Sequence, residues 1–334
     1  MKAAALTQFG KPLSIIDAPT PHPNDDEVLI RVRACGIDGT DLKLCKGSGY
    51  APKLPFIMGH EFTGEVVKLG PNVNDFAVGD RVLPYIFVSP LARAGQKHRD
   101  QMDPNLMGVI GIDGFPGGYA EYVCVPAAQL FHLPQSILWE DGAVLCDGAL
   151  TAYHAVDRAQ ILPGQRVAMI GVGGVAAYAL QFVALAGAET LALDRVQAKL
   201  DWAQTLASGV RTSLVDADTS PPSDAGLADC VLDFVGNAAT FALGRQLLDR
   251  NGRYVFVGYG EDSITVSPKD MSRSQMTILG TRGGSRDDLA AVIELAANER
   301  IVSAVTDRYA LDDVNDALQS LSQGQILGRC VLRP

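Results

Sequence analysis

The run Gly171-Val172-Gly173-Gly174-Val175-Ala176 has the pattern G-x-G-x-x-A. Its use in chemistry is to bring backbone N–H groups up to a pair of phosphates. Gly171 permits a tight turn, and Gly173, with Gly174 beside it, lets the main chain approach a pyrophosphate. Ala176 lets the following helix pack tightly. The start of that helix offers free N–H groups and a partial positive charge. An acid, Asp194, ends the next apolar run about twenty residues on. It can accept from both hydroxyls of an adenine ribose, and its charge repels a 2′-phosphate. The pattern therefore favours NAD over NADP, a preference that the adjoining Arg195 softens. A glycine sextet alone is a weak signal. Here the preceding apolar run, the following helical run and the spaced acid agree, which weighs against a merely structural glycine turn.

Those residues need a parallel sheet beneath them. From residue 166 onward, apolar runs at 167–170, 190–193, 230–235, 254–258 and 277–280 alternate with helical patterns at 175–185, 196–206 and 238–248. That alternation predicts βαβ units and a doubly wound parallel sheet, with Pro221-Pro222 in a surface loop. The first third reads differently. Short valine- and isoleucine-rich runs at 27–32, 64–69 and 81–85 are separated by turn residues, which predicts antiparallel β structure. Val78-Gly79-Asp80-Arg81-Val82 has the look of a hairpin turn, and a further strand opens after Gly117-Gly118. The tail predicts a helix at 287–298, a strand near 306–309, a helix at 311–322 and a closing strand at 329–332.

The 334 residues suit two domains, and 47% hydrophobic with 20% charged residues is ordinary for globular cores. A net charge of −10 disfavours nucleic acid and anionic lipid as partners. The N-terminal stretch lacks the apolar core of a secretory signal. The nearly uncharged span 167–188 is long enough for a membrane helix, but its glycine turn splits it into a strand and a helix. Six scattered cysteines with no CxxC pair suggest free thiols in a reducing, cytoplasmic setting.

Ordered motifs along the whole chain add a resemblance. They are Ala34-Cys35-Gly36-Ile37-Asp38-Gly39-Thr40-Asp41-Leu42, Gly59-His60-Glu61-Phe62-Thr63-Gly64-Glu65-Val66, Val78-Gly79-Asp80-Arg81-Val82, Gly117-Gly118-Tyr119-Ala120-Glu121-Tyr122, the glycine fingerprint and Gly328-Arg329-Cys330-Val331-Leu332. Together they resemble the medium-chain dehydrogenase/reductase family, in its zinc alcohol and polyol dehydrogenase branch. The resemblance implies an α/β chain with a GroES-like β catalytic domain over 1–148 and 285–334. A Rossmann domain, 149–284, is inserted between these parts.

The same resemblance implies a metal site with unusual donors. The positions of the two usual cysteine ligands fall on Asp38 and Asp147, not on Cys35 or Cys146. The histidine ligand falls on His60, and a nearby carboxylate on Glu61. Two aspartates, a histidine and a glutamate make a harder site than a thiolate one, able to hold zinc or a harder ion such as Mn²⁺. A second, structural zinc would need four clustered cysteines between Pro84 and Gly117. The span 87–107 has none, and His98 alone cannot close such a site, so no structural zinc is expected. Lys97 and Arg99 suit a solvated loop.

The implied reaction is hydride transfer between an alcohol carbon and the nicotinamide, with metal-assisted alkoxide formation. Thr40 matches the hydroxyl that takes the alcohol proton. Lys43 stands where relatives carry a relay histidine, so the end of that relay departs from the family pattern. Arg329 matches an arginine that binds the cofactor pyrophosphate. Ile86 and Tyr119 match pocket-lining positions or belong to the core, and His154 suits a packed helix. The Gly39-Thr40-Asp41 variant points to secondary alcohols, polyols or sugars. Relatives form dimers or tetramers along the Rossmann sheet edge, and the run near 276–279 suits that contact. Two other readings stay open: a metal-free NAD(P)H reductase of enones or quinones, and an NAD-binding protein without turnover.

Overall fold

The computed structural model describes residues 1–89, 107–216 and 220–334. His98, Lys97 and Arg99 lie outside the described residues. The chain divides into two compact units, Met1–Asp147 with Gly284–Pro334, and Gly148–Gly283.

The first unit is built on a seven-stranded sheet. Its order is Leu130–His132, Arg81–Pro84, Phe62–Leu69, Glu27–Ile37, Arg329–Arg333 and Val305–Ala310, with Tyr122–Pro126 also paired to Glu27–Ile37. Glu27–Ile37 is longer than the alternation at 27–32 suggests. Its last residues, Ala34 to Ile37, are buried whichever face they point to, so they show no period of two. Two bulges against Phe62–Leu69 let this strand serve three neighbours. The last strand of the chain pairs antiparallel with it, Cys330 opposite Ile37. That pairing carries Arg329 to the strand end where Asp38 follows.

The Gly79-Asp80 turn is not a two-residue hairpin loop: the strand before it ends at Leu69, and the turn is only the last part of the segment that joins Phe62–Leu69 to its antiparallel neighbour Arg81–Pro84. Gly79 N–H donates to the Val66 carbonyl, and the turn leads Arg81–Pro84 onto Phe62–Leu69. Ile86 and Tyr119 are buried in this unit, at 1% and 0% exposure.

The second unit holds a six-stranded, all-parallel sheet. Its order is Arg211–Leu214, Glu189–Asp194, Arg166–Ile170, Ala228–Asp233, Leu248–Phe256 and Thr277–Gly280. The first strand in sequence lies in the middle, and the chain winds outward from it in both directions. That is the dinucleotide-binding arrangement. Helix Gly174–Leu185 is buried from Ala176 to Val183, which explains why the span 167–188 carries almost no charge. Among the described residues no helix is long and apolar enough to cross a membrane. His154 is buried in helix Leu150–Ala159. The Leu248–Phe256 strand starts well before the apolar run at 254–258. Its first residues, Leu248 to Gly252, join the sheet through a register shift opposite Ala228–Cys230.

Candidate active site

In the first unit, Asp38 sits between the Glu27–Ile37 strand and helix Gly39–Lys46, and it caps the helix. Its Oδ1 accepts from the N–H groups of Thr40 (2.8 Å) and Asp41 (3.4 Å). Asp41 Oδ2 accepts in return from the Asp38 N–H at 2.9 Å, closing a capping box. Thr40 therefore lies in the first helical turn, its Oγ1 3.4 Å from Asp38 Oδ2. Lys43 is one turn further along and half-buried.

His60 is held by a loop that admits no side chain before it. Gly59 has φ +99°, and a Cβ there would lie 2.4 Å from the Tyr119 ring and 2.8 Å from the Cys35 sulfur. Gly118 N–H donates to the Gly59 carbonyl at 2.7 Å. Asp147 comes from a π-helical turn, Leu145–Ala149, a local widening that recurs at functional sites.

These elements bring Asp38, His60 and Asp147 together, with one ligand-type atom of each within 4.8 Å of the others. Asp38 Oδ1 and Asp147 Oδ2 both face His60 Nε2, at 3.7 and 3.6 Å. Asp41, which the sequence motif contains but does not single out, has Oδ1 3.7 Å from His60 Nδ1. All three distances fall outside hydrogen-bond range, and both ring nitrogens and Asp41 Oδ1 are buried without a hydrogen-bond partner. Two ligands of one tetrahedral zinc stand about 3.4 Å apart. The carboxylate-to-imidazole spacings are close to that. The orphaned Nε2 and the facing carboxylates thus fit a metal ion, with three protein donors, the number typical of catalytic zinc.

Glu61 is not part of that converging trio. Its carboxylate pairs with the Arg329 guanidinium, and the two side chains are 0% and 4% exposed. The resemblance puts Arg329 on a pyrophosphate and Glu61 at the metal. In the structure each is turned to the other, because the closing strand delivers the guanidinium next to the His60 loop. Electrostatics suit a cation. Asp38, Asp41, Asp147 and Glu61 stand against one guanidinium. Burial pushes the His60 imidazole down, but Asp38, Asp147 and Asp41 push it up and prevail, well above its ordinary value. Burial opposes ionisation of Asp38, yet His60 and Arg329 hold it below the usual carboxylate range. Burial pushes Glu61 up to about 7 against the pull of Arg329.

The neighbouring thiols stay out of the trio. Cys35 and Cys146 are fully buried, and burial raises both thiols well above their ordinary value. Cys146 Sγ donates to the Phe62 carbonyl at 3.5 Å, facing away from a ligand role.

In the second unit, Gly171 has φ +86°, the left-handed region. A Cβ at Gly173 would meet nothing within 4 Å. Packing thus leaves open space at that glycine, as a ligand-binding backbone requires. Gly173 caps helix Gly174–Leu185 with no side-chain hydrogen bond, so the first helical N–H groups have no side-chain cap. Ala176 is fully buried. Asp194 ends its strand half-buried. It accepts from the Val172 N–H of the glycine loop at 2.7 Å and from the Val196 N–H at 2.9 Å. It braces the loop while keeping further lone pairs for a ligand. Arg195 beside it is exposed.

Comparisons with known proteins cover both units. Residues 24–135 match the alcohol dehydrogenase GroES-like domain, and residues 174–298 match the zinc-binding dehydrogenase domain. An NAD-dependent alcohol dehydrogenase of Sulfolobus acidocaldarius is 33% identical, covering 100% of this chain and 99% of the relative. The alcohol dehydrogenase of Aeropyrum pernix superposes with a TM-score of 0.90 at 31% identity, covering 100% of both chains. A cobalt- and zinc-bound thermostable alcohol dehydrogenase of Pyrobaculum aerophilum does so with a TM-score of 0.88 at 34% identity, covering 100% of this chain and 99% of that one.

Proposed function

The chain belongs to the zinc-type medium-chain dehydrogenase/reductase family, and from that premise we propose an NAD-dependent dehydrogenase of secondary alcohols, polyols or sugars with one catalytic metal held by Asp38, His60 and Asp147. The observation that carries the proposal is the pair of carboxylate oxygens 3.7 and 3.6 Å from an imidazole nitrogen that has no hydrogen-bond partner.

A metal bound there supplies Lewis acidity, which lowers the pKa of a substrate hydroxyl. The chain's own residues do the rest. Asp38 and Asp147 offer hard oxygen donors, and His60 offers Nε2. Asp41 Oδ1 faces the other ring nitrogen at 3.7 Å, and on a slight closer approach it would orient the imidazole, the usual task of an outer carboxylate. Thr40 takes the hydroxyl proton at Oγ1, beside Asp38 Oδ2. Lys43, on the same helix, is the place to which that proton would pass. Glu61 and Arg329 offset each other's charge. In the second unit, Gly171, Gly173, Gly174 and Ala176 accept the pyrophosphate at the helix start, and Asp194 selects NAD, with Arg195 at its side. Thr277–Gly280 is one of the two edge strands of the parallel sheet, and we assign it the contact between copies of a homodimer or homotetramer.

Metal analysis of protein purified without chelators tests the reading. About one zinc or manganese per chain, lost together with alcohol oxidation on chelation, is the expected result. Full activity after complete metal removal would instead indicate the metal-free enone or quinone reductase.

A further inference from the structure

The second unit contains a buried carboxylate that the proposed reaction does not use. Asp233 ends the Ala228–Asp233 strand at 0% exposure. Its Oδ1 accepts from the N–H groups of Val235 and Gly236, both at 2.9 Å. Its Oδ2 accepts from the Thr240 hydroxyl at 2.7 Å and the Tyr254 hydroxyl at 2.8 Å. Four bonds fill the lone-pair sites of a carboxylate. Burying such a charge is no efficient route to stability, since apolar packing does as well. What the charge fixes is the geometry of the loops around it.

Two loops are fixed. One is residues 234–237, which follow the Asp233 strand and lead into helix Ala238–Leu247. Asp233 holds both ends of it, through the Val235 and Gly236 N–H groups and through Thr240, which is tied in turn to Asn237 at the helix cap. The other loop follows Leu248–Phe256. The Asp233 carbonyl accepts from Val257 and Gly258 N–H at 2.9 Å each, and Gly260 N–H donates to the Gly236 carbonyl at 2.8 Å. Gly236 has φ +73°, and a Cβ there would lie 2.0 Å from the Gly258 carbonyl oxygen, so the loops meet backbone to backbone. At their tips Val235 and Tyr259 are 42% and 54% exposed.

These loops lie at the carboxyl ends of strands on one side of Arg166–Ile170, and Asp194 lies at a carboxyl end on the other. A Cβ at Gly171 would lie 2.7 Å from the Val235 side chain, so the first loop borders the phosphate-binding turn. A dinucleotide bound across this switch point has its two halves on opposite sides of the central strand. Asp194 takes the adenosine side, which leaves the nicotinamide side to the two loops. We propose that Asp233, through Thr240 and Tyr254, is a positioning residue that presets these loops for the nicotinamide half of the cofactor. The inference rests on the dinucleotide reading of the glycine turn.

Titration calorimetry of the full chain with NADH and with ADP-ribose, which lacks the nicotinamide, tests it. Asp233→Asn places amide hydrogens among donors. It should weaken NADH by about tenfold, the size of one lost charge-assisted bond, and leave ADP-ribose within twofold. Tyr254→Phe keeps the ring against Phe241 and Phe256 and removes the hydroxyl that faces both Asp233 Oδ2 and the Thr240 carbonyl. It should weaken NADH about threefold with ADP-ribose unchanged, and it carries the test if the first variant fails to fold. Equal weakening of both ligands would mean a purely structural role and would overturn the proposal, as would unchanged NADH binding. A wild-type chain that binds neither ligand would overturn the dinucleotide reading, and this inference with it.

Discussion

Replacing Asp38 by alanine removes a proposed metal donor, the cap of helix Gly39–Lys46 and an oxygen beside the Thr40 hydroxyl at once. Turnover should fall by at least about a hundredfold, and metal content should fall with it. Kinetics paired with metal analysis check this, and a variant that kept both would remove Asp38 from the site. Asp41→Asn is milder. It preserves size and part of the capping box but weakens the carboxylate facing His60 Nδ1, so metal affinity should drop by about ten- to a hundredfold, measured by competition with a chromogenic chelator. On the cofactor side, Asp194→Ser removes the charge that repels a 2′-phosphate and leaves Arg195 next to it. The ratio of kcat/KM for NADP over NAD should rise by at least about tenfold. The loop brace from Asp194 to Val172 and Val196 is weakened too, so some affinity for NAD should be lost.

At the scale of elements, the approach to His60 is a tightly enclosed turn. Gly59→Ala forces a Cβ into the Tyr119 ring at a left-handed backbone position. It should destabilise the protein by about 2–4 kcal/mol, read as a lower thermal midpoint together with reduced metal retention. Elements also show why some of the site was readable from sequence and some was not. The glycine turn and Asp194 are local: strand, turn, helix and acid follow one another within a few dozen residues, and each leaves its own pattern. Helix Gly39–Lys46 is short, opens on Gly-Thr-Asp and so reads as a turn. Only the Asp38 and Asp41 pair, three residues apart, hints at a capping box, and from that the role of Asp41 was within reach. The π-helical turn that presents Asp147 has no sequence period of its own. The Glu61–Arg329 pair joins residues 268 positions apart, and no local pattern reports a contact set by the closing strand.

At the scale of the molecule, the two candidate sites are built from different units. Asp38, His60 and Asp147 all belong to the unit of Met1–Asp147 with Gly284–Pro334, and the glycine turn with Asp194 belongs to Gly148–Gly283. Each site should then survive loss of the other. The Asp38→Ala chain should bind ADP-ribose within about twofold of wild type, and the Asp194→Ser chain should keep its full metal content. Calorimetry and metal analysis of the two variants measure this, and a loss that crossed from one site to the other would show that their stabilities are joined. The alternation of strands and helices made the parallel unit legible from composition and period alone. The β unit was legible mainly through its ordered motifs, because its sheet is stitched from both chain ends and its longest strand is buried without alternation.

The double employment of Asp38 bears on how freely this site can change its element preference. A carboxylate has lone pairs enough to tie down two main-chain amides and still face an ion, whereas a sulfur at that position is a poor anchor for amides. Returning position 38 to cysteine would therefore soften the site toward thiophilic metals and, in the same stroke, fray the helix that carries Thr40 and Lys43, by about 1 kcal/mol. If the proposed site holds, metal choice and the rigidity of the proposed proton path are bound to one side chain, so neither can be tuned by a single substitution there without moving the other.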